Sequence, residues 1–160
     1  IQKLALFLLC GIKQVFVCSM LNYSDVMRYK ADVRLSNYIA QKIKEVNTNE
    51  DIPVFLYGVY HPHFAGNYIK GEVCGYSSFE WDNGANLTDS TSRGIDFMKT
   101  QGYNFSPVKL EDTQLIEKAR SIGETMRDFP ASDRVKNEGD VIVVRLSESS
   151  YKDKNSERQE

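Results

Sequence analysis

The sequence predicts an α/β fold in which an N-terminal transmembrane or membrane-proximal helix precedes a small, mainly parallel sheet flanked by helices. Three observations predict this fold. Residues 1–21 contain fifteen apolar side chains and no carboxylate. An amphipathic helical pattern then leads directly into a short apolar strand, an order typical of α/β domains. A β-branched run at 141–146 supplies a second strand for the same sheet.

The apolar segment 1–21 is long enough to cross a bilayer. As a helix it would span about 32 Å, close to the roughly 30 Å of hydrocarbon in a membrane. Lys13 lies near its centre, where a charge costs about 2.5 to 3.5 kcal/mol on insertion scales. Three interpretations stay open: the last span of a larger membrane protein, an interfacial or buried helix packed on the domain, and a signal peptide. We expect the first from the length of the apolar segment, and the absence of a small-x-small cleavage site after the apolar core counts against a signal peptide.

The chain divides into three predicted parts: the apolar helix over 1–21, a soluble α/β domain over 22–147 and a disordered, charged tail over 148–160. All 22 carboxylates but only 18 of the 20 Lys and Arg follow residue 21. This acidic balance argues against nucleic acid as a partner, because phosphate binding needs a basic patch. Cys74 is the only cysteine of the soluble part, so neither an intradomain disulfide nor a zinc cluster is expected.

Periodicity predicts the first elements of the domain. Apolar residues recur every three or four positions over 24–46, which predicts an amphipathic helix capped by Asn22 or Ser24. Pro53 then introduces an apolar run closed by Gly58, which predicts a buried strand over 54–58. The helix and the strand that follows it would form the first layers of the α/β domain.

The second half of the domain has the same mixed character. Apolar spacing predicts helices over 90–101 and 111–127, the first of them ended by Gly102. The run over 137–140 predicts a turn before the final strand at 141–146. The predicted order is therefore helix, strand, loop or short strand, helix, helix, strand.

The loop-rich stretch 59–89 is where we expect a ligand site, because ligands of α/β sheets gather at the carboxyl ends of strands. It is rich in aromatic residues, and Glu80 and Asp82 flank Trp81. Aromatic faces beside carboxylates suit a sugar, whose C–H face stacks on a ring while its hydroxyls donate to the acids. The alternative is that these aromatic side chains only anchor the loop by packing.

Other chemistries fit this stretch less well. His61 and His63 flank Pro62, but a transition-metal site normally needs a third protein ligand, so no metal site is expected. Glu80 and Asp82 resemble the paired carboxylates of glycoside hydrolysis, yet such pairs usually come from separate elements. No phosphate-binding or dinucleotide-binding glycine motif is present, and no cofactor is expected.

Arg93 is the remaining candidate. It lies near the start of a predicted helix, where a basic side chain opposes the helix dipole, so it fits a ligand-facing or acid-paired role. The candidate substrate-binding residues are therefore Trp81, Glu80, Asp82, His61 and Arg93.

Five runs of sequence follow the apolar segment in a characteristic order. They are LNYSDVMRYKAD at 21–32, PVFLYG at 53–58, GEVCGYSSFEWD at 71–82, GYNF at 102–105 and DVIVVRLS at 140–147. Together, and in this position after an apolar helix, they resemble the C-terminal part of the GtrII-like bacterial membrane glucosyltransferases. The resemblance covers nearly the whole soluble part.

This resemblance implies a polytopic enzyme that moves a glucosyl-type unit from a polyprenyl-phosphate donor to a cell-surface glycan, outside the bacterial cytoplasmic membrane. Its partners would be the lipid bilayer, the lipid-linked donor and the glycan acceptor. The catalytic acid of such enzymes is expected in a loop beside earlier spans, so we assign no catalytic residue here and expect the chain to be inactive alone. Two alternatives are a non-catalytic, membrane-anchored module that binds glycan or protein, and a small soluble enzyme.

Overall fold

The computed structural model describes residues 2–47, 51–60, 69–70, 74–80, 87–127 and 133–146. Its elements are α1 (Gln2–Val46), β1 (Val54–Tyr57), α2 (Leu87–Thr100), α3 (Thr113–Thr125), β2 (Val135–Asn137) and β3 (Ile142–Arg145). The two predicted strands and the two later helices are confirmed within a few residues. The predicted tail over 148–160 lies outside the described residues.

The sheet has three strands in the order β1-β3-β2. β1 runs parallel to β3, with Phe55 opposite Val143, and β2 runs antiparallel to it, with Lys136 opposite Val143. The α/β class is confirmed, but the sheet is mixed, so a mainly parallel sheet is not confirmed. The difference comes from β2, which the sequence did not predict. Gly139, with φ of 87°, turns the chain so that β2 and β3 form a hairpin.

The hydrophobic core lies on both faces of the sheet, because successive strand residues point to opposite sides. On one face α1 and α2 pack over the strands. That cluster contains Leu35, Ile39, Ala40, Ile43, Val54, Leu56, Phe79, Ile95, Met98, Phe105, Ile142, Val144 and Leu146. On the other face α3 covers a second cluster, formed by Phe55, Val108, Ile116, Ala119, Met126, Val141 and Val143.

Helix α1 is one continuous helix of 45 residues, about 68 Å long. The predicted start of a separate helix at Asn22 or Ser24 is wrong. Ser24 lies inside α1, where its hydroxyl donates to the Met20 carbonyl oxygen over 2.8 Å. A serine can bond back to the preceding helical turn in this way, so its presence does not mark a helix start.

The N-terminal half of α1 is not covered by the described domain. Its exposed large apolar side chains are Phe7, Leu8, Leu9, Ile12, Val15, Phe16 and Val17. By length and composition α1 is able to cross a membrane, and only 6% of its most apolar stretch is buried. The described domain therefore does not provide the packing surface that the buried-helix interpretation requires.

Candidate functional site

The loop 74–80 is held against α1 by acidic side chains of the helix. Asp32 is fully buried. Its Oδ1 accepts a hydrogen bond from the Ser77 hydroxyl over 2.6 Å, and its Oδ2 accepts one from the Ser78 N–H over 2.8 Å. Two turns nearer the N-terminus, Asp25 Oδ1 accepts a hydrogen bond from the Gly75 N–H over 2.7 Å. The spacing of seven residues between the two aspartates places both on the same side of the helix.

Asp32 is an anchor rather than a group that reaches a ligand. Burial raises the pKa of its carboxyl above the usual value, and the hydrogen bonds from Ser77 and Ser78 and the Arg28 charge oppose that shift. Its exposed fraction is 0%. The Ser77 hydroxyl also accepts from the Phe79 N–H over 3.0 Å, which extends the network to the end of the loop.

Glu80 is placed by a second set of contacts. It is 5% exposed and forms an ion pair with Lys70. Its second oxygen lies 3.4 Å from the Ser77 backbone nitrogen. Lys70 Nζ lies 4.7 Å from the centre of the Tyr76 ring, so the same cation contacts both side chains. The contacts of the Glu80 carboxylate therefore stabilise the loop.

An open cleft of about 410 Å³ lies beside this loop, between α1 and α2, and we name it the α1/α2 cleft. It is lined by Asp25, Arg28, Tyr76, Ser77, Ser78, Arg93, Asp96, Phe97 and Thr100. This volume is in the range of small-molecule sites, roughly 300 to 1,000 Å³. Aromatic, cationic and anionic side chains converge in the cleft, a combination that recognises a polar ligand with an apolar face.

On the α1 side of the cleft, Arg28 is only loosely paired with its two carboxylate neighbours. Arg28 Nη1 lies 3.6 Å from Asp32 Oδ2, and its Nε lies 4.0 Å from Asp25 Oδ1. Both distances exceed that of a hydrogen bond, and within the described ranges Arg28 Nε has no hydrogen-bond partner. On the α2 side, Asp96 forms an exposed ion pair with Lys99 over 3.1 Å.

Close packing fixes the position of the α2 wall. Gly94 faces the core, and a Cβ there would lie 2.7 Å from Leu56 Cδ1 and 2.8 Å from Phe79 Cδ1. The ring of Phe97 packs edge-on against Phe79 and against Tyr29 of α1, whose ring centre lies 5.8 Å away. The wall that carries Arg93 and Asp96 is therefore held by the core.

The candidate residues chosen from sequence fall in different places. Arg93 lines the cleft, and Glu80 is buried in the ion pair with Lys70. Trp81, Asp82 and His61 lie outside the described residues. In the part of the chain that the structure describes, no group of three or more His, Cys, Asp or Glu residues could hold a metal ion.

Sequence reasoning missed the α1 wall of the cleft. The sequence predicts Asp25 and Arg28 only as residues of a helix, without a site role, whereas Tyr76 belongs to the aromatic stretch 59–89 in which a ligand site is expected. A signal for the α1 wall does exist, because Ser24, Arg28, Asp32 and Ser36 repeat every four residues in a row that continues to Ala40 and lies beside the apolar row of α1. Polar residues on the core-facing stripe of a helix indicate a buried polar contact.

Comparison with known proteins adds no relative. No protein-family model, no curated protein and no solved structure matches the chain. The resemblance to GtrII-like glucosyltransferases therefore stays a hypothesis that rests on the residues that carry it.

Proposed function

We propose that this chain is the C-terminal, membrane-anchored part of a glycosyltransferase of the bacterial cytoplasmic membrane. The enzyme would move a glucosyl-type unit from a polyprenyl-phosphate donor to a cell-surface glycan on the extracytoplasmic side. The observation that carries the proposal is the N-terminal half of α1. Seven large apolar side chains between Phe7 and Val17 are exposed on a helix that continues without a break into the domain.

The hydrophobic effect makes lipid the favoured surroundings of that half. Burying one large apolar side chain is worth about 1.5 to 3 kcal/mol, so seven of them favour a bilayer by at least about 10 kcal/mol. This gain exceeds the cost of about 2.5 to 3.5 kcal/mol for Lys13, whose long stem can carry its charge toward the interface. The helix would then hold the domain at the membrane surface.

The resemblance supplies the chemistry of the proposal, and its runs coincide with the structural frame. The 21–32 run contains Asp25 and Asp32, which hold the loop, and the described part of the 71–82 run is that loop. The 53–58 and 140–147 runs contain the parallel pair β1 and β3. The resembling residues are thus the ones that build the sheet and one side of the cleft.

The second candidate is a non-catalytic, membrane-anchored module that binds glycan or protein. One observation favours it: two acids beside the cleft have structural roles, since Asp32 holds Ser77 and Ser78 and Glu80 pairs with Lys70. Both candidates share the anchored domain. They differ in whether catalytic acids exist elsewhere in the same polypeptide.

A transfer assay separates the two candidates. The complete gene product would be reconstituted in liposomes with radiolabelled polyprenyl-phosphate glucose and a cell-surface glycan acceptor. We expect label to move into the glycan, and no transfer by residues 1–160 alone. A complete protein that inserts into the membrane but transfers no label would contradict the transferase and favour the binding module.

A further inference from the structure

We propose that the α1/α2 cleft is a saccharide site that holds an uncharged sugar ring. This assignment concerns the walls contributed by α1 and α2, and the α2 wall includes Arg93, one of the residues that the sequence predicts to bind sugar. It rests on the proposed function only for its position near the bilayer. The sugar chemistry itself follows from the residues of the cleft.

Charge balance distinguishes a sugar ring from a phosphate. Among the described lining residues, Arg28 and Arg93 face the cleft together with Asp25 and Asp96, so the formal charge of this described lining sums to zero. A phosphate would gain from the guanidinium groups but would be repelled by the two carboxylates. Sugar hydroxyls both donate and accept, so one ring can satisfy the guanidinium donors and the carboxylate acceptors together.

Arg28 and Asp25 of the cleft have donor and acceptor positions that their contacts within the described ranges do not use, and a sugar hydroxyl could fill them. Arg28 has five N–H donors, and its two carboxylate neighbours lie at 3.6 Å and 4.0 Å, beyond hydrogen-bond distance. Asp25 uses one oxygen to accept from Gly75, and a carboxylate has about four acceptor positions. A ligand hydroxyl between these side chains would therefore complete contacts that the protein leaves open.

Aromatic surface completes the resemblance to a sugar site. Tyr76 and Phe97 both line the cleft and are both half-buried. Lys70 lies over the Tyr76 ring and Phe79 packs edge-on against Phe97, which fixes the orientation of both rings. Rigid aromatic side chains offer an apolar surface to the C–H groups of a sugar at small entropic cost.

The cleft also lies close to the proposed membrane surface. Asp25 and Arg28 follow residue 21 by four and seven positions, a rise of about 6 and about 10 Å along the helix. A sugar carried by a membrane lipid would reach the cleft at this height, and so would the end of a surface glycan. The uncharged ring is common to both sources, and the two sources can be separated by experiment.

The test uses residues 1–160 in phosphatidylcholine nanodiscs, which avoids detergents that contain sugar. Saturation-transfer NMR would follow binding of methyl α-D-glucopyranoside, with inorganic phosphate as the anionic competitor. We expect millimolar binding of the glucoside that phosphate does not displace. Adding glucosyl diacylglycerol to the nanodisc should displace the glucoside if the site takes a lipid-linked sugar, and a soluble oligosaccharide should displace it if the site takes a glycan. No saturation transfer to the glucoside, or displacement by phosphate, would overturn the proposal.

Matched variants locate the binding in the cleft. Arg93→Gln and Asp96→Asn change exposed side chains, so the domain should stay folded, and we expect each to weaken glucoside binding at least fivefold. Arg120→Gln makes the same change as Arg93→Gln on an exposed side chain of α3, and we expect unchanged binding. Equal binding by Arg93→Gln, Asp96→Asn and the parent chain would overturn the assignment.

The outcomes for the cleft and for the transferase are independent. Cleft-dependent binding by residues 1–160, without transfer by the complete protein, would support the saccharide site and contradict the transferase. Transfer that Arg93→Gln and Asp96→Asn leave unchanged in the complete protein, together with unchanged glucoside binding, would remove the cleft assignment and leave the transferase intact.

Discussion

The two halves of α1 share one backbone but have opposite surroundings. Ile12 in the first half is 68% exposed, whereas Ile39 in the second half is 2% exposed. Both belong to the same unbroken helix. The boundary between the proposed bilayer segment and the domain therefore lies inside one helix. The exposure of the side chains changes at this boundary, but the helical backbone does not.

The second half is itself divided. Its buried polar residues are Ser24, Asp32 and Ser36, and its buried apolar residues begin at Leu35, next to Ser36, and continue through Ile39 and Ile43. Asp32 binds the loop beside the cleft, and the apolar residues cover the sheet. One helix thus contributes to three surroundings: the exposed apolar segment, the polar contact with the loop, and the core.

Two matched isoleucine-to-alanine substitutions, one in each half of α1, should give the largest difference in the free energy of unfolding. Ile39→Ala removes core packing and should lower the free energy of unfolding by about 2 to 5 kcal/mol. Ile12→Ala removes the same atoms from a side chain that the domain does not touch, and should leave domain stability within about 0.5 kcal/mol. Urea unfolding of both variants in nanodiscs, followed by circular dichroism, would measure the two values. Equal losses would mean that the first half also packs on the domain.

Matched glycine substitutions should give a smaller contrast. Gly94→Ala places a methyl group 2.7 Å from Leu56 Cδ1, so we expect a loss of about 1 to 3 kcal/mol in unfolding free energy. Gly11→Ala meets no atom within 4 Å and should stabilise the helix by up to about 1 kcal/mol. Thermal unfolding of the two variants would compare them. A tolerated alanine at position 94 would show that α2 does not approach β1 as closely as described.

The pH dependence of stability should reveal the Asp32 anchor, with a smaller effect. Burial raises the folded-state pKa of the Asp32 carboxyl above the ordinary value of 3.8, so between these two pKa values the folded protein binds more protons than the unfolded chain. The Asp32 contribution to stability is therefore full below pH 3.8 and decreases as pH rises through the folded-state pKa.

The substitution Asp32→Asn removes the titrating carboxyl group and keeps one oxygen that can accept a hydrogen bond from the loop residues Ser77 and Ser78. We expect its unfolding free energy, measured in urea from pH 3.5 upward, to lack the decline that the Asp32 group causes in the parent chain. Asp112→Asn is the matched control, because Asp112 is an exposed helix cap for which asparagine is an equivalent residue. A decline of the same size in Asp32→Asn and in the parent chain would assign the pH dependence to other groups.

Burial patterns explain which parts of the fold could be predicted. The runs at 54–58 and 141–146 are buried on both sides of the sheet, and such continuous apolar strands are visible in sequence. β2 has three residues, of which Lys136 and Asn137 are exposed, so it carries no periodic signal. Its pairing depends on the turn at Gly139 and on the partner strand.

The site was harder to predict because it depends on tertiary contacts. Arg93 could be selected from its place on a helix, but its neighbours Asp25 and Arg28 lie more than sixty positions earlier. Local sequence does not show that α1 and α2 approach each other, or that Ser77 and Ser78 bond to Asp32. The prediction that a helix begins near Ser24 is wrong for a local reason. A serine hydroxyl can cap the start of a helix, but inside a helix it can also donate to the carbonyl oxygen of the preceding turn.

Thiol accessibility tests the bilayer assignment of the first half most directly. Cys10 is exposed in the structure, as is Ser121 on α3, so a purely aqueous environment would leave both positions reactive. Two single-cysteine chains, one with Cys10 alone and one with Ser121→Cys alone, would be placed in phosphatidylcholine vesicles and treated with a water-soluble maleimide. We expect Ser121→Cys to react rapidly and Cys10 to stay unlabelled until the chain is denatured. Labelling of Cys10 as fast as Ser121→Cys would contradict a membrane-embedded first half of α1.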